Sequence, residues 1–214
     1  RVASKNLTKL FGENLFTNPK DFDLLFNLFK AFEVTENNIV LDFFSGSATT
    51  AESIYKLNSE MGSNCKFIMV QIQEDLNETL KTATGGSKAT VKRAIRYLKE
   101  RKKPENICEL AKIRILKAAK KIKEETGADI DYGFRVYKLD ESNMQDVYYK
   151  PQEYNQGQLD LLADNVKADR TADDLLAQVM LDWGLPLSLK IEQGTVSGKQ
   201  VFRVAENSLF ACFD

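Results

Sequence analysis

The fold of this chain is decided by residues 38–58, Asn-Ile-Val-Leu-Asp-Phe-Phe-Ser-Gly-Ser-Ala-Thr-Thr-Ala-Glu-Ser-Ile-Tyr-Lys-Leu-Asn. Ile39, Val40 and Leu41 predict a short buried strand of a parallel sheet. After a run of small residues, apolar side chains return at helical spacing, at Ala51, Ile54, Tyr55 and Leu57. The segment therefore predicts a strand, a tight turn and a helix.

The turn between this strand and helix has the composition of a ligand-binding loop. Residues 45–50 are Ser, Gly, Ser, Ala, Thr and Thr, and such small side chains let a ligand approach the backbone. The start of the helix offers unpaired N–H groups to a carboxylate or phosphate, and Asp42 adds an acceptor. The spacing fits neither a P-loop nor Gly-x-Gly-x-x-Gly. A nucleotide-type cofactor is predicted, although a strand, turn and helix that bind nothing fit the same periodicity.

Composition narrows the class of protein. The 214 residues are 43% apolar and 29% charged, a balance typical of soluble globular proteins, and no apolar run reaches the roughly 20 residues of a membrane helix. We therefore expect a cytoplasmic protein that makes no membrane contact. The absence of histidine excludes imidazole chemistry, and three scattered cysteines predict neither a disulfide framework nor a metal site.

Two segments flank the central motif. Upstream, Asn18, Pro19 and Lys20 lead into a predicted helix with apolar residues at 22, 25, 26, 29 and 32. Downstream, residues 66–72 predict a second parallel strand, and a Rossmann-like unit uses the residue at the end of that strand to bind ribose hydroxyls. Gln71 occupies this position, with Glu74 as the alternative ligand.

A basic segment follows a predicted flexible loop at residues 77–90. Residues 88–123 contain fourteen Lys/Arg and three Glu, a net charge of +11, so the rest of the chain carries −12 to give the overall −1. Such segregation favours nucleic acid as a partner, although a solvated helical face fits equally well. The candidate phosphate contacts are Lys92, Arg93, Arg96, Lys117 and Lys121.

The remaining residues predict a smaller second domain. Residues 133–140 predict a third strand and residues 145–170 a linker. Thr171-Ala-Asp-Asp174 predicts a capping box at the start of a helix. Strands are predicted at Leu187–Ile191, Val201–Val204 and Leu209–Phe213. The expected domains are a cofactor-binding part with basic helices at 1–144, the linker, and an α+β module at 171–214.

Several motifs resemble those of permuted amino-group DNA methyltransferases. Residues 42–50 resemble their Asp-x-Phe-x-Gly-x-Gly-Thr-Thr signature, and Asn18-Pro-Lys20 resembles the segment that opens the preceding helix in that family. The stretches 70–74, 133–143, 182–187 and 209–214 resemble modification subunits of type III restriction systems in particular. Ala48 stands in place of the second glycine of the signature, and we expect its backbone to keep an ordinary φ.

This resemblance implies a fold, a cofactor and partners. The fold would be α/β, with a partial Rossmann-like S-adenosylmethionine-dependent methyltransferase sheet followed by a small α+β C-terminal module. The implied partners are double-stranded DNA and a restriction (Res) subunit. The residues implied to bind S-adenosylmethionine are Asn18, Pro19, Lys20, Asp42, Phe43, Phe44, Ser45, Gly46, Ser47, Ala48, Thr49, Gln71 and Glu74.

The family's catalytic tetrapeptide, Asp-Pro-Pro-Tyr, does not occur in this sequence. We therefore expect the chain to be the C-terminal portion of an adenine methyltransferase, inactive alone and with no catalytic residue of its own. A non-catalytic module for DNA binding or assembly is the alternative, and RNA or cytosine amino groups are other acceptors. Without an upstream strand beside Ile39–Phe43, the chain should form a homodimer through that edge or cover it with residues 1–16.

Overall fold

The computed structural model describes residues 2–145 and 165–213, in two compact units, residues 1–135 and 136–214. Helices and strands are mixed and the sheets are small. The first unit contains, in chain order, α1 (Val2–Phe11), α2 (Phe22–Ala31), β1 (Ile39–Asp42), α3 (Thr49–Met61), β2 (Lys66–Met69), α4 (Leu76–Thr82), α5 (Gly85–Lys99) and α6 (Ile107–Thr126). The second contains α7 (Ala172–Asp182), β3 (Ile191–Val196), β4 (Lys199–Val204) and β5 (Leu209–Ala211).

The strand, turn and helix predicted around residues 38–58 are confirmed. β1 and β2 pair in parallel, from Ile39 opposite Lys66 to Asp42 opposite Met69, and α3 connects them. β2 ends three residues earlier than predicted. The apolar face of α3 is buried because Ile54 and Leu57 pack with Phe26 of α2 and with Cys65.

The other face of this two-stranded sheet is exposed. Side chains alternate along a strand, and Ile39, Leu41 and Ile68 point away from the α3 side and are about half exposed or more. The prediction of a strand buried on both faces is therefore wrong for β1 in this chain. Within residues 2–145 and 165–213, β1 pairs with β2 alone, so its other edge is unpaired.

One of our two alternatives required the N-terminal segment to cover that edge. The segment does not do so. Leu7, Phe11, Leu15 and Phe16 instead pack into a core with residues of α4, α5 and α6, among them Leu98 and Leu110. Aromatic contacts fix this arrangement, since Phe11 meets Tyr97 edge-on at a centroid distance of 5.7 Å. Residues 7–16 therefore stabilise the basic helices rather than the sheet.

Two further predictions in the first unit are wrong. Residues 77–90 form α4 and the start of α5 instead of a loop, because Asp75 caps α4 and the buried Leu76 anchors it to the core. Residues 133–140 form no strand. Tyr132 and Phe134 pack against the α3 and α6 core, and among the described residues no strand pairs with this segment.

The second unit is a helix with a three-stranded antiparallel sheet, as predicted in outline. Thr171 and Asp174 form the capping box at the start of α7. The first strand was predicted at Leu187–Ile191 but begins only at Ile191. Leu187 and Leu189 pack into the core before the strand starts. Most of the predicted linker, residues 146–164, lies outside the described residues. On either side of it, Met144 and Val166 form an isolated antiparallel β-bridge.

Two kinds of feature are absent from the described part of the chain. No helix there is long and apolar enough to cross a membrane. No group of three or more His, Cys, Asp or Glu residues there is arranged to hold a metal ion.

Candidate functional site

The turn after β1 is tied to the end of β2 by three hydrogen bonds. Val70 N–H donates to the Asp42 carbonyl at 2.8 Å, and Ser45 N–H donates to the Val70 carbonyl at 3.2 Å. Gly46 N–H then donates to the side-chain Oε1 of Gln71 at 2.7 Å. The predicted turn, Asp42 and Gln71 are therefore brought together at the carboxyl ends of the two strands, where parallel α/β sheets bind ligands.

The carboxylate of Asp42 is held in place from two sides. Its Oδ1 accepts from Phe44 N–H at 3.2 Å, and its Oδ2 accepts from Thr50 Oγ1 at 2.6 Å. Each carboxylate oxygen has a further lone pair. Asp42 is thus oriented by the protein and keeps capacity to accept hydrogen bonds from a ligand.

Ala48 adopts the left-handed conformation, with φ 56° and ψ 38°, where we expected an ordinary φ. A residue with a Cβ pays roughly 1–2 kcal/mol in this region. The conformation persists because Ala48 N–H donates to the Ser45 carbonyl at 2.8 Å and its methyl group is buried. The chain therefore makes the turn that a glycine would make, and no side chain caps the start of α3.

Arg114, from α6, is a site residue that sequence analysis missed. It was counted among the fourteen basic residues, yet its side chain is only 2% exposed. Its Nη1 donates to the Ser47 carbonyl at 2.9 Å and lies 2.8 Å from both Ser47 Oγ and Thr49 Oγ1. Nothing local in the sequence signals this role, because Arg114 and Ser47 are 67 positions apart.

The opposite edge of the Arg114 guanidinium pairs with Glu52, in the first turn of α3. Nε and Nη2 donate to Glu52 Oε2 at 2.9 and 2.6 Å. Burial lowers the pKa of the Arg114 guanidinium, and the charge and hydrogen bonds of Glu52 oppose that shift. A buried, paired arginine is costly to leave half satisfied, so this contact fixes α6 against the turn.

The remaining predicted cofactor residues differ in how they are placed. Phe43 and Phe44 are largely exposed, with ring centroids 5.0 Å apart, directly beside the turn. Glu74 is exposed, and its carbonyl accepts from Ile107 N–H at the start of α6. No hydrogen bond or ion pair of the described residues joins residues 18–20 to the turn, although Ser53 Oγ donates to the Phe22 carbonyl and so holds α2 beside α3.

The predicted nucleic-acid contacts are only partly free of internal partners. Arg93 donates to the Asn14 carbonyl at 3.1 Å, and Arg96 pairs with Glu13 at 2.6 Å. Lys117 and Lys121 line a shallow depression between α1 and α6, where Lys117 Nζ lies 5.7 Å from the centre of the Phe11 ring and Lys121 Nζ lies 3.9 Å from Glu125. Its other lining residues are Lys9, Leu10, Lys120 and Glu124. Lys92 is exposed on α5.

Comparison with known proteins identifies the relatives of this chain. No protein-family model matches it. It is 32% identical over 141 residues to the Mod subunit of the type III restriction-modification enzyme StyLTI from Salmonella typhimurium, and 31% identical over 172 residues to the EcoP15I Mod subunit from Escherichia coli. These matches cover 65% and 72% of this chain. The chain is a homologue of type III Mod subunits. The resemblance found in the sequence motifs is thereby confirmed.

The matched region is a small part of each Mod relative. It spans 19% of the length of the StyLTI Mod subunit and 23% of that of EcoP15I. A shorter match, 31% identical over 77 residues and 36% of this chain, joins it to the type II methyltransferase M.KpnI from Klebsiella pneumoniae. The names of these relatives are thus those of restriction-modification Mod subunits and of a methyltransferase.

Proposed function

We propose that this chain is the cofactor-binding part of a Mod-type DNA methyltransferase, in which a Rossmann-like sheet begins with β1 and β2. The observation that carries the proposal is the hydrogen bond from Gly46 to Gln71, which closes the turn over the carboxyl ends of both strands. The names of the Mod and M.KpnI relatives support methyl transfer to DNA. The proposed reaction moves the methyl group of S-adenosylmethionine to the 6-amino group of adenine.

The chemistry of the site suits the parts of S-adenosylmethionine. Asp42 and Gln71 supply acceptors for its ammonium and ribose hydroxyl groups, and the backbone N–H groups at the start of α3, which no side chain caps, suit its carboxylate. The exposed rings of Phe43 and Phe44 offer faces for a purine to stack on. Residues 18–20 form the other wall in this proposal, because α2 lies against α3.

DNA and a Res subunit are the proposed partners of the longer protein. The type III relatives are Mod subunits of restriction-modification enzymes. The half-buried Lys117 and the exposed Lys121 place ammonium groups beside α1 that suit phosphate, a contact that positions DNA without reading its sequence. The chain alone should transfer no methyl group, since no residue in it has been assigned to hold an amino acceptor.

Calorimetry with S-adenosylhomocysteine, the demethylated product, tests the cofactor site. Asp42→Ala removes both contacts of the carboxylate, and Asp42→Asn keeps its shape but loses its charge. We expect Asp42→Ala to weaken binding by about tenfold or more and Asp42→Asn by less, since a charged hydrogen bond contributes roughly 1.5–3 kcal/mol.

Asp129→Asn, at an exposed position on the same unit, is the matched control and should bind like the unaltered chain. Binding that is unchanged by Asp42→Ala, with the variant folded, would remove the cofactor assignment.

A further inference from the structure

Arg114 donates hydrogen bonds to the residues on both sides of Ala48. The Ser47 carbonyl and hydroxyl precede Ala48, the Thr49 hydroxyl follows it, and all three oxygens lie within 2.9 Å of Nη1. Ala48 between them holds a left-handed backbone that its side chain disfavours. The guanidinium therefore closes a clamp around the strained residue of the turn.

The clamp also sets the direction of the hydroxyl hydrogen bonds. A guanidinium only donates, so the oxygens of Ser47 and Thr49 both face Arg114 as acceptors. They lie 3.1 Å apart, and one hydroxyl donates to the other. One hydroxyl hydrogen of the pair is then left to donate elsewhere, at the turn where the proposed ligand lies.

Glu52 fixes the orientation of the guanidinium. It accepts from Nε and Nη2, which leaves Nη1 for the turn. A lysine at this position would place one rotating ammonium where arginine places a rigid planar fork. The geometry therefore depends on a guanidinium and not merely on a positive charge.

We propose that Arg114 is a positioning residue of the cofactor site, holding the turn at residues 46–49 in the form that binds the ligand. This inference rests on the proposed function for the identity of that ligand. Arg114 is buried beneath the turn and acts through Ser47 and Thr49. Arg114 thereby connects α6, which belongs to the basic segment, to the turn proposed to bind the cofactor.

Two variants separate positioning from a general contribution to folding. Arg114→Lys keeps the charge beside Glu52 but loses the fork. The double variant Glu52→Met with Arg114→Met replaces the buried pair by apolar side chains, an exchange that folded proteins often tolerate. Lys120→Met, at an exposed position on α6, is the matched control.

Each variant is measured in two ways at a temperature where circular dichroism shows it folded. Calorimetry gives its affinity for S-adenosylhomocysteine, and amide hydrogen exchange without ligand reports on residues 46–50 and on the α3 core at 54–58. We expect both Arg114 variants to bind about tenfold more weakly or worse, the loss expected if about 1.4 kcal/mol of binding free energy goes with the clamp. Exchange should quicken at 46–50 while 54–58 stays protected.

Affinity and exchange equal to those of Lys120→Met would overturn the proposal. If the unaltered chain binds no S-adenosylhomocysteine, the proposed function fails, and exchange alone then decides the role of Arg114. Unchanged exchange at 46–50 in both variants would show that Arg114 does not hold the turn.

Discussion

Gly46 and Gln71, 25 positions apart, are joined by a hydrogen bond of 2.7 Å from the Gly46 amide to the Gln71 side chain. The Nε2 of Gln71 donates to the Ile72 carbonyl at 3.0 Å, which fixes the orientation of the side chain. Gln71 thus acts on the turn itself, whereas the side chain of Glu74 lies exposed beyond it. Of the two residues predicted to bind ribose, Gln71 is the better placed.

Gln71→Ala should therefore weaken the binding of S-adenosylhomocysteine more than Glu74→Ala does. The lost contact to Gly46 and the lost ribose contact each contribute roughly 0.5–1.5 kcal/mol, so a loss of about tenfold is expected for Gln71→Ala. Calorimetry on the two variants under the same conditions is the measurement. A larger loss for Glu74→Ala would reverse the assignment.

Ala48→Gly should leave stability nearly unchanged, unlike glycine at the neighbouring buried Ala51. At position 48, relief of a left-handed backbone, roughly 1 kcal/mol or more, offsets the loss of a buried methyl worth about 0.8 kcal/mol. Ala51 is helical and fully buried, so Ala51→Gly loses its methyl and about 1 kcal/mol of helix propensity as well. Urea unfolding of both variants compares them. Equal losses would mean that Ala48 carries no backbone strain.

DNA binding by the lysines of α6 should depend steeply on salt. Reversing two phosphate contacts, with Lys117→Glu and Lys121→Glu, should lower the affinity and reduce the slope of log K against log salt by about two. Fluorescence anisotropy with a duplex at several salt concentrations measures both quantities.

Lys5→Glu with Lys66→Glu changes the net charge equally at exposed positions outside the basic segment and is the control for this test. If the two double variants lose affinity alike, net charge explains the binding and Lys117 and Lys121 have no special role.

The uncovered face and free edge of the β1–β2 sheet should make this chain self-associate, because parallel sheets are normally covered on both faces. Leu41 and Ile68 lie opposite each other in register on that face. The double variant Leu41→Glu with Ile68→Lys should abolish self-association. The two new charges are opposite in sign and adjacent, so they can pair within one chain. Light scattering over a concentration series is the test. A chain that is monomeric at every concentration would show that this face needs no partner.

Leu181→Glu with Phe210→Lys, at exposed apolar positions of the second unit, provides the comparison for that experiment. It should leave the association unchanged. An equal loss of self-association in both double variants would indicate non-specific hydrophobic association rather than contact through the sheet.

The sequence predicted those parts of the fold that depend on neighbouring residues. The strand, turn and helix of residues 38–58 follow from local periodicity, and the capping box at Thr171 follows from a four-residue motif. Residues 77–90 were misassigned because glycines and threonines suggested a loop, while the tertiary burial of Leu76 and Thr90 favours helices. The segment 133–140 has strand-like residues but no strand beside it among those described.

The site was predictable only where its residues adjoin the motif. Asp42 and the turn belong to one short segment, and Gln71 follows from the position of the next strand. The role of Arg114 could not be recognised, because its partners Glu52 and Ser47 are more than sixty positions away. The sequence alone does not distinguish a buried arginine from an exposed one. The left-handed Ala48 was missed for a related reason, because its buried methyl group packs with Ala111 and Ile115 of α6, which lie outside the segment.

The most direct test of the central claim is nuclear magnetic resonance of this chain with its amides assigned, titrated with S-adenosylhomocysteine. The method detects even weak binding. Saturable shifts should appear at the amides of residues 45–49 and at Gln71, while those of α7 and β3–β5 remain unchanged. Saturable shifts confined to other residues, or no shifts at millimolar ligand, would contradict the assignment of the cofactor site.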